Sequence, residues 1–217
     1  MKIGGVFLVF SLSVALGQAP EYKNLQILKG IPPARIPMVM NTFNRVLGVE
    51  CTHCHVADAM EKEDKPQFGT TRKMFQMRNT VAQQYKINVS CWTCHHGNSK
   101  PAPPALEIKD VWPEELKLTP EQQKLPTQQV FKNIKFFNDT AGSMRAGMNF
   151  LSAALGVGCD HCHVVGAWEK DDKPAKDTAR KMLAMVRDMR RDFAPWRFSC
   201  TTCHRGSVKP EVNPPPA

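Results

Sequence analysis

The chain has 217 residues, enough for one or two small domains, and its hydrophobic content of 42% suits a globular protein. The formal net charge is +9, yet no basic run is interleaved with aromatic residues, so we predict that the protein does not bind nucleic acid. All 8 cysteines fall within four short motifs. We therefore predict no disulfide.

The first 17 residues have the features of a secretory signal peptide. Lys2 precedes an apolar stretch from Ile3 to Leu16, and Ala15-Leu16-Gly17 provides a small-x-small cleavage site. The apolar stretch is shorter than the ~20 residues that span a bilayer. We predict export to the periplasm, with a mature chain that begins near Gln18. A retained membrane anchor and a final location at the cell surface are the alternatives.

The mature chain contains an internal repeat with an offset of about 108 residues. The matching segments are Gly48-Val49-Glu50-Cys51 with Gly156-Val157-Gly158-Cys159, Glu61 to Pro66 with Glu169 to Pro174, and Arg72-Lys73-Met74 with Arg180-Lys181-Met182. The repeat predicts a first unit at residues 18–100 and a second unit at residues 130–209. Proline-rich segments at 101–129 and 210–217 are predicted to be an extended linker, with a helical turn at most, and a surface tail.

Each unit is predicted to contain two helices. The first pair covers residues 37–47 and 127–155, the latter with a break near Gly142, and Gly48 and Gly156 fit left-handed C-terminal caps. The second pair covers residues 70–85 and 175–193, where Asp177-Thr178 offers an N-cap. No segment alternates with a period of two. We therefore predict a mainly α fold with much irregular chain and few or no strands.

Each unit also contains two C-x-x-C-H motifs, here called the first to fourth boxes in chain order. They are Cys51-Thr52-His53-Cys54-His55, Cys91-Trp92-Thr93-Cys94-His95, Cys159-Asp160-His161-Cys162-His163 and Cys200-Thr201-Thr202-Cys203-His204. This motif is the attachment signature of a c-type haem. Its two cysteines form thioethers with the two vinyl groups of one porphyrin, and the histidine places an imidazole under the iron. A zinc knuckle or a redox C-x-x-C would not place histidine after the second cysteine in all four cases.

The boxes predict four covalently bound haem c groups in two tandem dihaem repeats. Cys51, Cys54, Cys91, Cys94, Cys159, Cys162, Cys200 and Cys203 would attach them, and His55, His95, His163 and His204 would be the proximal iron ligands. The haem propionates would offset most of the positive charge. Four porphyrins would supply much of the core, so we expect the haem-free chain to fold poorly.

Methionines are the predicted sixth ligands, because three further histidines cannot serve four haems. Met40 and Met148 each lie 11 residues before a box, and Met74 and Met182 lie 17 and 18 residues before the other two. Methionine is also a common core residue. Met77 and Met185 match across the repeats as well, so they are alternatives to Met74 and Met182.

The remaining histidines and several basic residues are candidates for contacts with propionates. His53 and His161 could instead bind another haem, and His96 aligns with Arg205 at the rim of a box. The basic candidates, for which solvent exposure is the alternative, are Arg72, Lys73, Arg180, Lys181 and Arg205. The runs at 61–65 and 169–173 mix both charges and are predicted to be solvated loops.

These segments resemble the tetrahaem cytochrome subunit of photosynthetic reaction centres over residues 36–100 and 140–209. The resemblance lies in Leu47 to His55, in Arg180 to Met185 and in Cys200 to Gly206. It implies that a helix supplies a methionine ligand and is followed by a turn and then by a box. Two pairs of such haem sites would be related by a local two-fold axis. It also favours Met74 and Met182 over their neighbours. The family's subunit is longer and often lipid-anchored, and its fourth haem takes a histidine that residues 86–90 lack here, so Met182 remains our candidate.

We expect the protein to relay electrons between redox partners and not to be an enzyme. An iron with six ligands offers no position to a small-molecule substrate. The partner would be a membrane complex or a soluble carrier, either photosynthetic or respiratory. One alternative is a multihaem reductase with an open haem. Another is an extracellular filament in which copies stack and His53 or His161 binds a neighbour's haem.

Overall fold

The computed structural model describes residues 21–215, so the predicted signal peptide lies outside the described residues. The α-helices are α1 (Ile36–Leu47), α2 (Pro66–Gln84), α3 (Trp92–His95), α4 (Thr127–Val130), α5 (Ala141–Leu155), α6 (Pro174–Asp192) and α7 (Cys200–Cys203). Short 3-10 turns occur at Pro33–Arg35, Cys51–His53, Glu114–Leu116, Gln122–Lys124 and Cys159–His161. The described residues contain isolated bridges and no sheet. This confirms the predicted fold class, mainly α with much irregular chain.

Helices α2 and α6 begin earlier than predicted because prolines occupy their first turns. Pro66 and Pro174 fit the start of a helix, where the missing N–H has no partner to lose. The predicted N-cap at Asp177-Thr178 was therefore wrong, since Lys173 is the N-cap of α6. Asp177 lies in the first turn instead, where a carboxylate is favoured by the helix dipole.

The helix predicted at 127–155, with a break near Gly142, is interrupted over the longer stretch 131–140. The Thr127 N–H donates to the Asp139 carbonyl at 2.9 Å, and the Ala141 N–H donates to the Leu125 carbonyl at 2.9 Å. These bonds join the segments on either side of residues 131–140. Thr140 then starts α5 as its N-cap, accepting a hydrogen bond from the Ser143 N–H at 3.2 Å. The break thus precedes Gly142, which lies within the first turn of α5.

The linker at 101–129 is more structured than predicted. It contains two 3-10 turns and the first residues of α4, where at most one helical turn was expected. Asp110 anchors it to α5 by an ion pair with Arg145 and a hydrogen bond from Asn149 at 2.9 Å. The linker therefore packs against the second unit.

The two units place their elements in the same order. Helices α1 and α5 end at Gly48 and Gly156, with φ of 61° and 64°. In each unit, the glycine that follows the later box contacts the last turn of the first helix of that unit. Gly97 N–H donates to Val46 O in α1, and Gly206 N–H donates to Ala154 O in α5, both at 2.9 Å. The second and fourth boxes are thereby held beside the helices that lead into the first and third boxes.

The apolar core of the described chain is small for its length. Its buried apolar side chains are Leu28, Ile36, Val46, Val81, Ala141, Met144, Ala154 and Met189. Two cavities open beside this core, one in each unit. None of the helices within residues 21–215 is long and apolar enough to cross a membrane.

Candidate haem sites

The histidines of the four boxes share one hydrogen-bonding arrangement. In each, the imidazole Nδ1 faces a backbone carbonyl oxygen: His55 faces Met60 O at 2.6 Å, His95 faces Asn98 O at 2.9 Å, His163 faces Trp168 O at 3.0 Å and His204 faces Ser207 O at 3.0 Å. A carbonyl can only accept, so Nδ1 carries the proton. Nε2 is left unprotonated, which is the form that binds a metal.

The first box opens onto a cavity of about 580 Å³. Cys51, Cys54, His55 and Met40 all line it, and α1 and residues 21–28 provide much of its wall. The volume lies within the ~300–1,000 Å³ typical of cofactor sites. Met40 is thus placed on the same cavity as its predicted box.

The third box opens onto a cavity of about 370 Å³ in the second unit. Cys159, Cys162, His163 and Met148 line it. Met144, one turn earlier on α5, also lines it and is only 5% exposed. The structure therefore brings a second methionine to this cavity beside the predicted ligand.

The second and fourth boxes contact each other, and we call them the central boxes and the first and third the outer boxes. The Sγ atoms of Cys94 and Cys203 lie 3.4 Å apart, and helices α3 and α7 pack together. Met74 and Met182 lie half-buried on α2 and α6 and line neither of the two cavities. Their assignment to the second and fourth boxes stays a prediction, as does the choice between them and their neighbours Met77 and Met185.

Five of the eight cysteine thiols have a raised pKa. Burial raises the pKa of Cys91, Cys159, Cys162 and Cys200. The hydrogen bond with Cys203, together with burial, raises the pKa of Cys94, and the same hydrogen bond lowers the pKa of Cys203. Reactive thiols have a lowered pKa. The five cysteines with a raised pKa therefore lack this property of a redox-active C-x-x-C pair.

An asparagine–acid–arginine cluster borders each cavity, and we name these the two clamps. In the first clamp, Arg72 pairs with Glu63 at 2.6 Å, and Asn24 Nδ2 donates to the same carboxylate at 2.7 Å. In the second clamp, Arg180 pairs with Asp171 at 2.9 Å, and Asn133 Nδ2 donates to it at 2.9 Å. The two asparagines have φ of 62° and 58°.

The clamps add contacts to two loops that are exposed as predicted. The mixed-charge runs at 61–65 and 169–173 are largely exposed, and Glu63 and Asp171 within them also bind other segments. Arg72 and Arg180, predicted to contact propionates, pair with these carboxylates, and hydrogen bonds from Asn24 and Arg72 lower the pKa of Glu63. A signal for the clamps exists in the sequence: Lys23-Asn24-Leu25 recurs as Lys132-Asn133-Ile134.

The remaining histidines and basic residues, together with Trp168, lie in different environments. Arg205 donates to Ala102 O at 3.0 Å, and Lys181 pairs with Asp177 on the surface of α6. His96 stacks near Trp92, and its Nε2 is buried without a hydrogen-bond partner in the described chain. Trp168 Nε1, beside the cavity of the third box, is also buried without a hydrogen-bond partner among the described residues. His53 is half-buried and His161 is exposed.

The residues of the boxes fit haem c. Each box has two free thiols in C-x-x-C spacing and an imidazole whose Nδ1 is bound to a carbonyl, and the outer boxes open onto cavities of cofactor size. The fold and sites therefore define the class of protein as a c-type cytochrome with covalently bound haem.

Comparison with known proteins shows the particular family. The model of the photosynthetic reaction centre cytochrome C subunit matches residues 15–132 and 119–213, so the chain belongs to this family. The resemblance predicted from the sequence is thereby confirmed. The family's description as a cytochrome C subunit agrees with the class that the fold and the boxes define.

Individual relatives cover different shares of the chain. A photosynthetic reaction center cytochrome c subunit of Thermochromatium tepidum is 26% identical over 93% of this chain and 64% of its own length. One from Rubrivivax gelatinosus is 25% identical over 74% of this chain and 58% of its own length. Cytochrome c-554 of Chloroflexus aurantiacus is 38% identical over 27% of this chain. The chain thus spans less than two thirds of the length of the first two relatives.

Proposed function

We propose that this protein is a periplasmic tetrahaem cytochrome that passes electrons between redox partners. The observation that carries this proposal is the arrangement repeated at all four boxes, where Nδ1 of the histidine is bound to a backbone carbonyl and Nε2 is available. A haem at each box would supply an iron that gains or loses one electron. The two matches to the family model support two dihaem units.

The proposed ligands follow the placement of the side chains. The cysteines of each box attach one haem, and the histidine of the box binds its iron. Met40 and Met148 are the proposed sixth ligands at the outer boxes, because each lines the cavity of its own box. Met74 and Met182 are proposed for the central boxes. A soft thioether ligand favours ferrous iron and raises the reduction potential relative to a second imidazole.

The contacts between elements support one order of the sites. The glycine after the second box docks on α1, which leads into the first box, and the glycine after the fourth box docks on α5, which leads into the third. The Cys94–Cys203 contact joins the second and fourth boxes. The order along the molecule is therefore first, second, fourth and third.

The partners we propose are redox proteins at the ends of this row. The relatives' names associate them with a photosynthetic reaction centre, so a membrane complex is one candidate, and a respiratory complex or a soluble carrier is the other. The predicted leader supports a periplasmic location. Encounters between such carriers are weak and electrostatically steered.

A variant pair tests the assignment of ligands. In the periplasmic holoprotein, Met148→Ala should remove about one quarter of the methionine–iron charge-transfer absorbance, since it removes one of four thioether ligands. Met144→Ala is the matched control on the same helix and cavity, and it should leave this absorbance intact. The reverse result would assign the ligand to Met144. An unchanged band in both variants would contradict thioether ligation at the third box.

A further inference from the structure

The two cavity sites differ at one buried position. Lys176 on α6 is only 8% exposed, although lysine is rarely buried without a partner. The matching position of the first unit, two residues after the helix-starting proline, is Phe68. Both residues line the cavity of their own unit.

The ammonium of Lys176 contacts the carbonyl that orients the third box's histidine. Its Nζ donates to Trp168 O at 2.9 Å, and His163 Nδ1 lies 3.0 Å from that same oxygen. The ammonium also donates to Lys170 O at 2.6 Å and pairs with Asp171 at 3.2 Å. One carbonyl oxygen thus serves both the imidazole N–H and a cation.

At the first box, no cation among residues 21–215 donates to the corresponding carbonyl. His55 Nδ1 lies 2.6 Å from Met60 O, and Phe68 packs edge-on against the imidazole with ring centroids 5.1 Å apart. An aromatic ring there supplies neither a donor nor a charge. The carbonyl of Met60 therefore accepts the imidazole proton without competition from that position.

The hydrogen bond at Nδ1 is one of the means by which a protein adjusts a metal site. A strong acceptor draws the proton from the imidazole, which makes Nε2 a better donor and favours ferric iron. An ammonium on the same carbonyl weakens that acceptor. The positive charge itself also disfavours the ferric state, and it acts within a partly buried site where screening by water is reduced.

The other charged residues that line the two cavities match only in part: Lys23 and Lys132 correspond, whereas Glu21 lines only the first cavity and Lys135 only the second. At the third site, Asp171 faces both Lys176 and Arg180, whereas at the first site Glu63 faces Arg72 alone. The outer runs Glu61-Lys62 and Glu169-Lys170 are the same in both units.

The unmatched charges other than Lys176 are exposed. Glu50 at the first box and Asp160 at the third occupy different positions of the repeat, and both are exposed, as are Glu21 and Lys135. Asp177 on α6 is exposed and paired with Lys181 at 2.8 Å. Lys176 is therefore the buried cation that distinguishes the third site from the first.

We propose that Lys176 raises the reduction potential at the third box by binding the Trp168 carbonyl that orients His163. This inference rests on the proposed function, since it requires haem at that box. Lys176 is in this view a positioning residue. Phe68 leaves the first box without this effect, so this position contributes a difference in potential between two sites built from the same repeat.

The test is an optical redox titration of the periplasmic holoprotein. Lys176→Met keeps the length of the side chain and removes the charge, and it should move one of the four titrating components to lower potential while three stay in place. Lys176→Arg keeps the cation and should retain the native titration. Phe68→Lys, made in the first unit, should move a different component to higher potential.

Two results would overturn the proposal. One is an unchanged titration in Lys176→Met, and the other is a shift of all four components together, which a general loosening of the fold would cause. Lys176→Gln, which keeps a donor for the Trp168 carbonyl, should shift the same component less than Lys176→Met. The haem content and absorbance spectrum of the unmutated protein are measured first. A protein without four haems contradicts the proposed function, whereas four haems with an unaffected titration contradict only the role of Lys176.

Discussion

Replacing Gly156 by alanine tests how the second unit is assembled. Gly156 ends α5 with a left-handed φ of 64°, and a Cβ at this position would overlap the carbonyl oxygen of Gly206. Gly206 follows the fourth box, and its N–H donates to Ala154 O at 2.9 Å. The substitution therefore strains the backbone and also pushes the fourth box away from the end of α5.

The expected cost follows from these two contributions. A left-handed conformation costs an alanine about 1–2 kcal/mol, and losing the Gly206 hydrogen bond costs about 0.5–1.5 kcal/mol. The total of roughly 1.5–3.5 kcal/mol lowers the melting temperature by roughly 3–14 °C for a chain of this size. We also expect a lower haem content, because the fourth box is displaced.

Gly166→Ala is the matched control, since Gly166 has φ of 76° but nothing within 4 Å of its Cβ position. It should carry the conformational cost alone. In thermal unfolding followed by circular dichroism, the melting temperature of Gly156→Ala should be lower than that of Gly166→Ala by roughly 1–6 °C. This difference is the contribution of the lost hydrogen bond. Equal melting temperatures and equal haem contents would refute the packing of Gly206 on α5.

Two further substitutions probe the contacts of the linker and between the units. Hydrogen bonds led by that from Arg145 lower the pKa of Asp110 to about 2, so this carboxylate stabilises the fold above pH ~4 and loses that effect as the pH falls toward 2. Asp110→Asn should therefore lower the melting temperature at pH 7 and have little effect at pH 2; an equal effect at both pH values would contradict it. Tyr85 Oη donates to Asp188 at 2.8 Å and joins the end of α2 to α6. Tyr85→Phe should lower the melting temperature by roughly 1–6 °C, from about 0.5–1.5 kcal/mol, and an unchanged melting curve would exclude a stabilising role for this bond.

The local features of the fold were predictable from the sequence. Gly48 and Gly156 end their helices in the predicted left-handed conformation, because this cap depends on the glycine itself and on the preceding turn. The boxes are equally local, since their chemistry needs only five consecutive residues. Each long helix also has a counterpart in the other unit, so two segments of the sequence supported its prediction.

The features that escaped prediction depend on contacts between distant segments. The interruption before α5 is stabilised by Thr127 and Ala141, whose bonds to residues 139 and 125 have no signature in periodicity. The clamps join residue 24 to 63 and residue 133 to 171. Lys176 would be expected on a solvated helix face, but it is buried because three oxygen atoms from neighbouring segments accept its hydrogens or pair with it.

The central claim is that four haems, each with two axial protein ligands, can only accept or release electrons. A redox titration of the periplasmic holoprotein, followed across the full absorbance spectrum, tests it directly. The account predicts four electrons per chain and low-spin spectra in both oxidation states. Fewer than four electrons, or a high-spin ferric band from an iron with an open position, would contradict it.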